Sequence, residues 1–127
     1  MATSTHNANG FEREIKSGKI LPGMNFNQKV WAMTARIPHG KLTTYGEIAK
    51  ALGSKGSRAV GAALNKNPYA PGVPCHRVVG STGALTGFAG GLEKKRQLLA
   101  CEGIACEGDR VKLPPVLFRF LPPSARG

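Results

Sequence analysis

Two short apolar patterns of helical period, joined by a glycine-bearing turn, constrain the fold of this chain more than any other feature. Thr44 and Glu47 have the spacing of a capping box at the start of the first helix, and Gly53 suits its end. Ser57 is placed to cap the second helix, which runs to about Lys66. The pair predicts a helix-turn-helix, and an ordinary helical hairpin is the alternative.

The segments on either side of this pair predict further short elements. Apolar residues at 26, 30, 33 and 37 predict a preceding helix, which Pro38 ends. A later stretch rich in Pro and Gly leads to a short strand at Val78–Val79, and a last helix is expected from about residue 92 to 102. The expected fold class is therefore α+β, mostly helical, with a single winged helix-turn-helix-like domain.

The ends of the chain are expected to lie outside this domain. We expect residues 1–23 to form a flexible tail, although a short amphipathic piece at 11–20 can pack on the body. The domain itself is expected over residues 24–121, and residues 122–127 are expected to form a flexible C-terminal end. Prolines near residue 120 limit any strand there to a short one.

A large positive charge indicates a polyanionic partner. The chain carries 18 Lys and Arg against 7 Asp and Glu, a formal net charge of +11. Nucleic acid is the leading candidate, and a basic surface that serves only solubility is the alternative.

The second helix of the pair carries one long side chain, Arg58, among small ones: Ser57, Ala59, Gly61 and Ala62. Small residues let a helix approach a surface closely, which favours the minor groove over side-chain reading of the major groove. Arg58 is then placed to enter the base stack. The alternative is a close helix–helix contact with a solvated Arg58.

Cysteine usage and hydropathy bear on the compartment. The three cysteines, Cys75, Cys101 and Cys106, match no zinc or disulfide spacing, so we expect free thiols, no metal and a reducing compartment. Cys101 is expected to pack in the last helix and Cys106 to be exposed. With no apolar run near the ~18 residues of a membrane span and no signal-peptide core, we expect a cytoplasmic, nucleoid or nuclear protein that is not secreted.

Cys75 and His76 are adjacent and can carry nucleophilic chemistry. A neighbouring His and basic surroundings raise the thiolate fraction of a cysteine, and a Glu on the last helix can orient that His. The alternatives are that the cysteine is a small buried apolar residue, and that the two neighbours point to opposite faces of an extended segment.

A series of motifs spans about residues 25–105. They are Ile37-Pro38-His39-Gly40-Lys41, Thr43-Thr44-Tyr45-Gly46-Glu47-Ile48-Ala49, Ser57-Arg58-Ala59-Val60-Gly61, Asn67-Pro68, Pro74-Cys75-His76-Arg77-Val78-Val79, Gly90-Gly91-Leu92 and Leu98-Leu99-Ala100-Cys101-Glu102-Gly103. In order and spacing they resemble the methylated-DNA–protein-cysteine methyltransferases, also called alkylguanine-DNA alkyltransferases. A winged-helix transcription regulator fits less well, because it has no use for Cys75-His76 beside Arg58.

The resemblance implies DNA repair by irreversible transfer of an alkyl group, most simply methyl, from the 6-oxygen of guanine to Cys75. The damaged base would first flip out through the minor groove, because the alkyl group is unreachable inside a duplex. Arg58 would fill the stack, and Tyr45 would help turn the nucleotide and give a proton to the leaving guanine. His76 would act as base through a water, with Glu102 orienting it, and Asn67 would brace the reactive turn.

The resemblance also implies the extent of the site and its partners. The DNA-binding residues would be Arg58, Tyr45, Thr44, Ser57, Ala59, Gly61 and Ala62, and the base pocket would use Pro74, Val78, Phe88 and Ala89. We expect each molecule to act once, as a monomer, on double-stranded DNA containing alkylated guanine, without cofactor or metal. Whether a downstream repair protein docks on it is left open.

The chain departs from the family pattern in its pocket loop and its C-terminal tail. Phe88 stands where many members have Tyr, and Ala89 where some have a hydroxyl residue, so a hydrogen bond to the lesion worth about 0.5–1.5 kcal/mol is in doubt. The tail around Leu113 also resembles the alkyltransferase-like proteins, which bind alkylated DNA and flag it for another pathway. Those proteins typically replace the reactive cysteine. Retention of Cys75 favours a working transferase over this alternative.

Overall fold

A computed structural model of the protein describes residues 11–53, 56–69, 72–85, 91–111 and 117–120. In chain order the elements are α1 (Glu12–Lys16), α2 (Phe26–Ala35), β1 (Thr43–Thr44), α3 (Tyr45–Ala51), α4 (Ser57–Asn65), a 3-10 turn (Cys75–Arg77), β2 (Val78–Val79) and α5 (Leu92–Cys101). The expected α+β class with a predominance of helix is confirmed. None of the helices in the described ranges is both long and apolar enough to cross a membrane.

The two strands form a minimal parallel sheet. Thr43 pairs with Val78 and Thr44 with Val79, and all four residues are buried. The strand at Val78–Val79 was expected, whereas β1 was not, because a buried pair of threonines between a loop and a helix carries no alternating pattern. Because β1 runs directly into α3 and the 3-10 turn runs directly into β2, this parallel pairing attaches α3 and the Cys75 turn to the same sheet, with the turn entering one end and α3 leaving the other.

The expected helix-turn-helix is formed by α3 and α4. Thr44 Oγ1 accepts a hydrogen bond from the Glu47 amide at 3.0 Å, so Thr44 caps α3 as expected. Gly53, with φ of +70°, follows the end of α3 in a conformation that favours glycine. The expectation that Ser57 caps α4 is wrong: Ser57 is already the first helical residue, and the N-cap is Gly56, which has no side chain to cap with.

A hydrogen bond between buried groups holds α4 against α2. Trp31, on α2, donates from its indole Nε1 to the Ala63 carbonyl at 2.8 Å. Val60, Ala63 and Leu64 are the buried residues of α4, so its opposite face is left to solvent. This orientation exposes the small residues and Arg58 rather than the apolar ones.

The chain ahead of α2 packs on the body from Phe11 onward. Ile15 of α1 is fully buried in the main apolar cluster with Val30 and Trp31, and Arg36 Nε donates to the Gly18 carbonyl at 2.7 Å. Of the two alternatives for this segment, a flexible tail or an amphipathic piece packed on the body, the structure shows the second, and burial of Ile15 anchors a short helix. Residues 1–10 and 122–127, also expected to be flexible, lie outside the described residues.

The C-terminal segment returns to the sheet. Leu117 forms an isolated parallel bridge with Leu42, and the Phe118 amide donates to the Leu42 carbonyl at 2.6 Å. Phe118 and Phe120 stack edge to face, with ring centroids 5.1 Å apart, and pack on the main cluster. A second cluster lies between β2, α5 and the segment after it; its buried members are Leu42, Val79, Leu85, Leu99, Ile104 and Val111.

Replacing Ile15 tests whether α1 belongs to the cooperative core. Ile15→Ala should lower the free energy of unfolding by about 2–4 kcal/mol, because it leaves a cavity under α1. The measurement is urea denaturation followed by Trp31 fluorescence. Lys19→Ala, at an exposed position nearby, is the matched control. A midpoint for Ile15→Ala that equals the control midpoint would contradict the packing of α1.

Candidate active site

Cys75 lies at the start of the 3-10 turn with its side chain partly exposed. Its amide donates to the Val73 carbonyl at 2.8 Å, which tightens the chain ahead of the turn. Asn67 ties the same segment from the end of α4: its Nδ2 donates to the Val73 carbonyl at 3.0 Å, and its Oδ1 accepts from the Tyr69 amide at 2.9 Å. One side chain thus fixes the backbone on both sides of the Pro- and Gly-rich stretch that leads to Cys75.

His76 points into the protein and meets Glu102, the residue after α5. The distance between His76 Nε2 and Glu102 Oε2 is 2.7 Å, and both side chains are almost fully buried. Burial lowers the pKa of His76, against the opposing effect of Glu102, so the imidazole is neutral near pH 7. A neutral imidazole that donates from Nε2 to a carboxylate keeps Nδ1 as an acceptor, which is the form that a general base requires.

Three groups hold Glu102 as a carboxylate: Arg77, the Gly40 amide and His76. Arg77 Nε lies 2.9 Å from each carboxylate oxygen, and the Gly40 amide donates to Oε1 at 2.9 Å. Burial alone would raise the pKa of Glu102, but the hydrogen bonds from Arg77, Gly40 and His76 outweigh it and lower the pKa to about 2. The carboxylate is therefore ionised at every pH at which the protein is expected to work.

The helix face that was expected to bind DNA lies on α4. Ser57, Arg58, Ala59 and Ala62 are exposed on α4. Gly61 lies on the same helix against the Tyr45 ring: a Cβ built there would lie 3.9 Å from Tyr45 Cε1. That is an ordinary van der Waals distance, so the Tyr45 ring lies next to the backbone of α4 at position 61.

Not all of the expected site residues present a side chain to this surface. Thr44 is buried and its hydroxyl caps α3, so its side chain is not exposed as those of Ser57, Arg58, Ala59 and Ala62 are. Pro74 and Val78 are buried, so they can offer a bound base only their backbone. Phe88 and Ala89, expected in the base pocket, lie outside the described residues.

Two charged residues at the site escaped the sequence analysis. Arg77 stands in the Pro74-Cys75-His76-Arg77 motif but received no role; besides Glu102, its Nη1 donates to the Ile37 carbonyl at 2.6 Å. Lys95 is fully buried on α5, and its Nζ donates to the Val78 carbonyl at 2.7 Å. The burial of Lys95 could have been predicted from its spacing on α5. Leu92 lies three residues before it and Leu99 four residues after it, and both mark the inward face of the helix.

The other two cysteines lie differently from expectation. Cys101 is exposed, and Cys106 is partly buried against the second apolar cluster, where burial raises the pKa of its thiol. The expectations for both were wrong, since the helical period turns Cys101 away from the face that carries Leu99. Across the described residues, no group of three or more His, Cys, Asp or Glu side chains is arranged to hold a metal ion.

The Glu102 carboxylate gives a testable pH dependence of stability. Its pKa falls from 4.5 to about 2 on folding, so its contribution is complete above pH 4.5 and is lost as the pH falls toward 2. Glu102→Gln should lower the free energy of unfolding at pH 7 by about 2–3 kcal/mol, and the difference should shrink below pH 4.5. Urea denaturation across this range measures it.

The matched control is Glu93→Gln on α5, whose carboxylate is exposed and paired with Arg96. An exposed ion pair contributes about 0–1 kcal/mol, so this variant should stay close to wild type at all pH values. A loss for Glu102→Gln that does not change between neutral and acid pH would contradict the ionised, hydrogen-bonded carboxylate.

Comparison with known proteins places this geometry in a family. The family model for the 6-O-methylguanine DNA methyltransferase DNA-binding domain matches residues 25–104. A methylated-DNA–protein-cysteine methyltransferase of Methanosarcina acetivorans is 53% identical over 97 residues, covering 73% of this chain and 62% of that protein. Its counterpart in Mycolicibacterium paratuberculosis is 51% identical over 83 residues, which is 50% of its length. This chain therefore spans only about half to three fifths of these curated relatives.

Two solved structures share the fold. Mycobacterium tuberculosis OGT in complex with DNA has a TM-score of 0.60 and 42% identity, covering 76% of this chain and 66% of that one. S. pombe Atl1 in complex with damaged DNA containing O6-carboxymethylguanine has a TM-score of 0.65 and 32% identity, covering 75% of this chain and 95% of that one. The family model covers the two strands, the helix-turn-helix, the Cys75 turn and the Glu102 carboxylate. The chain belongs to the family defined by the 6-O-methylguanine DNA methyltransferase DNA-binding domain.

Proposed function

We propose that the protein repairs DNA by transferring an alkyl group, most simply methyl, from the 6-oxygen of guanine to Cys75. The observation that carries the proposal is the buried His76–Glu102 pair directly after a partly exposed cysteine. A cysteine that served only for packing would not require an ionised carboxylate and a neutral imidazole behind it. The names of the relatives, all methylated-DNA–protein-cysteine methyltransferases, support the same chemistry.

The proposed reaction is a displacement at the alkyl carbon. His76 takes the thiol proton through a water, and Glu102 holds the ring and stabilises the imidazolium that forms. The Cys75 sulfur then forms a bond to the carbon while the carbon–oxygen bond breaks, and its electron pair moves into the guanine, which receives a proton from Tyr45. The thioether product is stable, so each molecule acts once.

The proposed substrate is double-stranded DNA with a flipped guanine. The face of α4 that carries Arg58, Ala59 and Ala62 is exposed, and its small residues let the helix approach a minor groove. The formal charge of +11 supports a polyanionic partner. In this proposal Arg58 fills the space left by the extruded base, and the protein works as a monomer where DNA is found, in the cytoplasm, nucleoid or nucleus.

Lesion binding without transfer is the second candidate function. It is favoured by one observation, the match to S. pombe Atl1 along 95% of that protein's length. The presence of Cys75 directly before His76, and the hydrogen bond between His76 and Glu102, favour the transferase. The two functions differ in whether the protein gains mass on meeting the lesion.

Intact-protein mass spectrometry separates these functions and tests the nucleophile. After incubation with a duplex containing one 6-O-methylguanine, the wild-type protein should gain one methyl group that maps to Cys75. Cys75→Ser should gain none, because a serine hydroxyl stays protonated at neutral pH, yet should bind the duplex with nearly unchanged affinity. Cys101→Ser, at an exposed cysteine, is the matched control and should be methylated normally. Tight binding by wild type with no gain of mass would establish the lesion-binding function instead.

Arg58→Ala tests the role of α4 in extracting the base. The variant should react about tenfold or more slowly with duplex substrate but within about twofold of wild type on a single strand, where there is no stack to fill. Quench-flow kinetics with both substrates measure the rates. Lys66→Ala removes one charge just beyond α4 and serves as the control. If both variants lose the same fraction of the rate on duplex substrate, Arg58 acts only through contact with phosphate.

A further inference from the structure

Glu47 is the only acidic residue in the long stretch of sequence between Glu14 and Glu93, which includes the whole helix-turn-helix. It lies in the first turn of α3, two residues after Tyr45. The first helix of a helix-turn-helix crosses the DNA backbone, where a carboxylate repels the phosphates. A surface that binds a polyanion therefore needs a cation close to Glu47.

The cation comes from the C-terminal end of the described chain. Leu117 forms a parallel bridge with Leu42, and the Phe118 amide donates to the Leu42 carbonyl at 2.6 Å. Two residues further along these paired segments stand Arg119 on one side and Thr44, the N-cap of α3, on the other. The register of this bridge therefore brings Arg119 to the start of α3.

Two phenylalanines turn the Arg119 side chain outward. Phe118 and Phe120 stack edge to face and pack on the main apolar cluster, to which Ile48 of α3 also belongs. Neighbouring residues of an extended segment point to opposite sides, and the Arg119 side chain between them is 71% exposed. Its neighbours therefore anchor Arg119 at the surface, and its own side chain is left to solvent.

Arg119 is the more exposed partner of its ion pair with Glu47. Its Nε lies 3.8 Å from Glu47 Oε2, which is close enough to offset the charge but too far for a hydrogen bond. The Glu47 side chain is only 23% exposed. An approaching phosphate therefore meets the guanidinium before the carboxylate, and the planar arrangement of guanidinium donors suits phosphate oxygens.

We propose that Arg119 is a DNA-binding residue that contacts a backbone phosphate beside α3, while its charge offsets that of Glu47. The inference rests on the function proposed above and extends the proposed DNA contacts from α4 to the C-terminal segment. Residue 119 lies beyond residues 25–104, the part of the chain that the family model matches. A phosphate contact carries no sequence information, so Arg119 should strengthen binding equally to damaged and undamaged duplex.

The salt dependence of binding to an undamaged duplex tests this contact. Each neutralised phosphate adds about 0.9 to the slope of log affinity against log salt concentration, because counterions are released. Arg119→Ala should therefore reduce the magnitude of the slope by about 0.9 and weaken binding about three- to tenfold at about 100 mM salt. Fluorescence anisotropy with a labelled duplex measures both quantities. A slope for Arg119→Ala equal to that of wild type overturns the proposal.

Arg110→Ala is the matched control, because it removes the same charge at another exposed position. Arg110 lies in the segment after α5, where its backbone bridges Ala84. This variant should keep the wild-type slope. If both variants lose the same fraction of the affinity, only the net charge of the protein matters and Arg119 has no contact of its own.

Glu47→Gln separates a contact with DNA from support of α3. It removes the ion pair but keeps Arg119, and the bond from the residue 47 amide to Thr44 does not need the carboxylate. An exposed ion pair stabilises little, so the variant should fold. If Arg119 contacts a phosphate, Glu47→Gln should bind at least as tightly as wild type, because one negative charge is gone. Weakening equal to that of Arg119→Ala would mean that Arg119 acts only through the ion pair.

Failure of the proposed function is seen separately. A wild-type affinity that does not change with salt would overturn the proposed binding of DNA itself, whereas an unchanged slope in Arg119→Ala overturns only the role of this residue. Methyl transfer is measured by the gain of mass, so its failure would leave the contact with undamaged duplex untouched.

Discussion

The buried carboxylate of Glu102 is the interaction on which the rest of the site depends. It lies just after α5 and accepts hydrogen bonds from His76, Arg77 and the Gly40 amide, so it joins three stretches of chain distant in sequence. A lone carboxylate with so little exposure would be costly, and the donors offset that cost. Because Arg77 also donates to the Ile37 carbonyl, the same network holds the chain just after α2 against the Cys75 turn.

A two-stranded sheet connects the helix-turn-helix to the Cys75 turn. The pairing of Thr43 with Val78 sets the distance between α3 and the Cys75 turn, and the Trp31 hydrogen bond sets α4 against α2. The buried face of α4 and the Cys75 turn therefore pack on the same apolar cluster. For a protein proposed to act on an extruded base, a shared core of this kind lowers the cost of orienting the two parts when a ligand binds.

Much of this arrangement was predictable because it follows from period and local chemistry. The helices at α2, α3, α4 and α5 and the strand at Val78–Val79 show in the apolar pattern, and the Cys75-His76 motif shows directly in the sequence. What the sequence hid depends on contacts between distant segments. Arg77 and Lys95 look like ordinary basic residues in a basic chain until the fold encloses them, and β1 exists only because β2 lies beside it. The packing of α1 was visible only as one of two alternatives, since a five-residue helix has too little period to distinguish it from a tail.

The contact of α1 with Tyr69 has a consequence for motion. Lys16 Nζ lies 5.5 Å from the centroid of the Tyr69 ring, that ring stacks edge to face on Trp31, and the Tyr69 amide is one of the two groups that Asn67 holds. Local opening of α1 therefore uncovers a residue inside the segment that leads to Cys75. The amides of α1 and the Tyr69 amide are therefore expected to exchange with solvent as one cooperative unit, which couples the N-terminal helix to the segment that Asn67 braces.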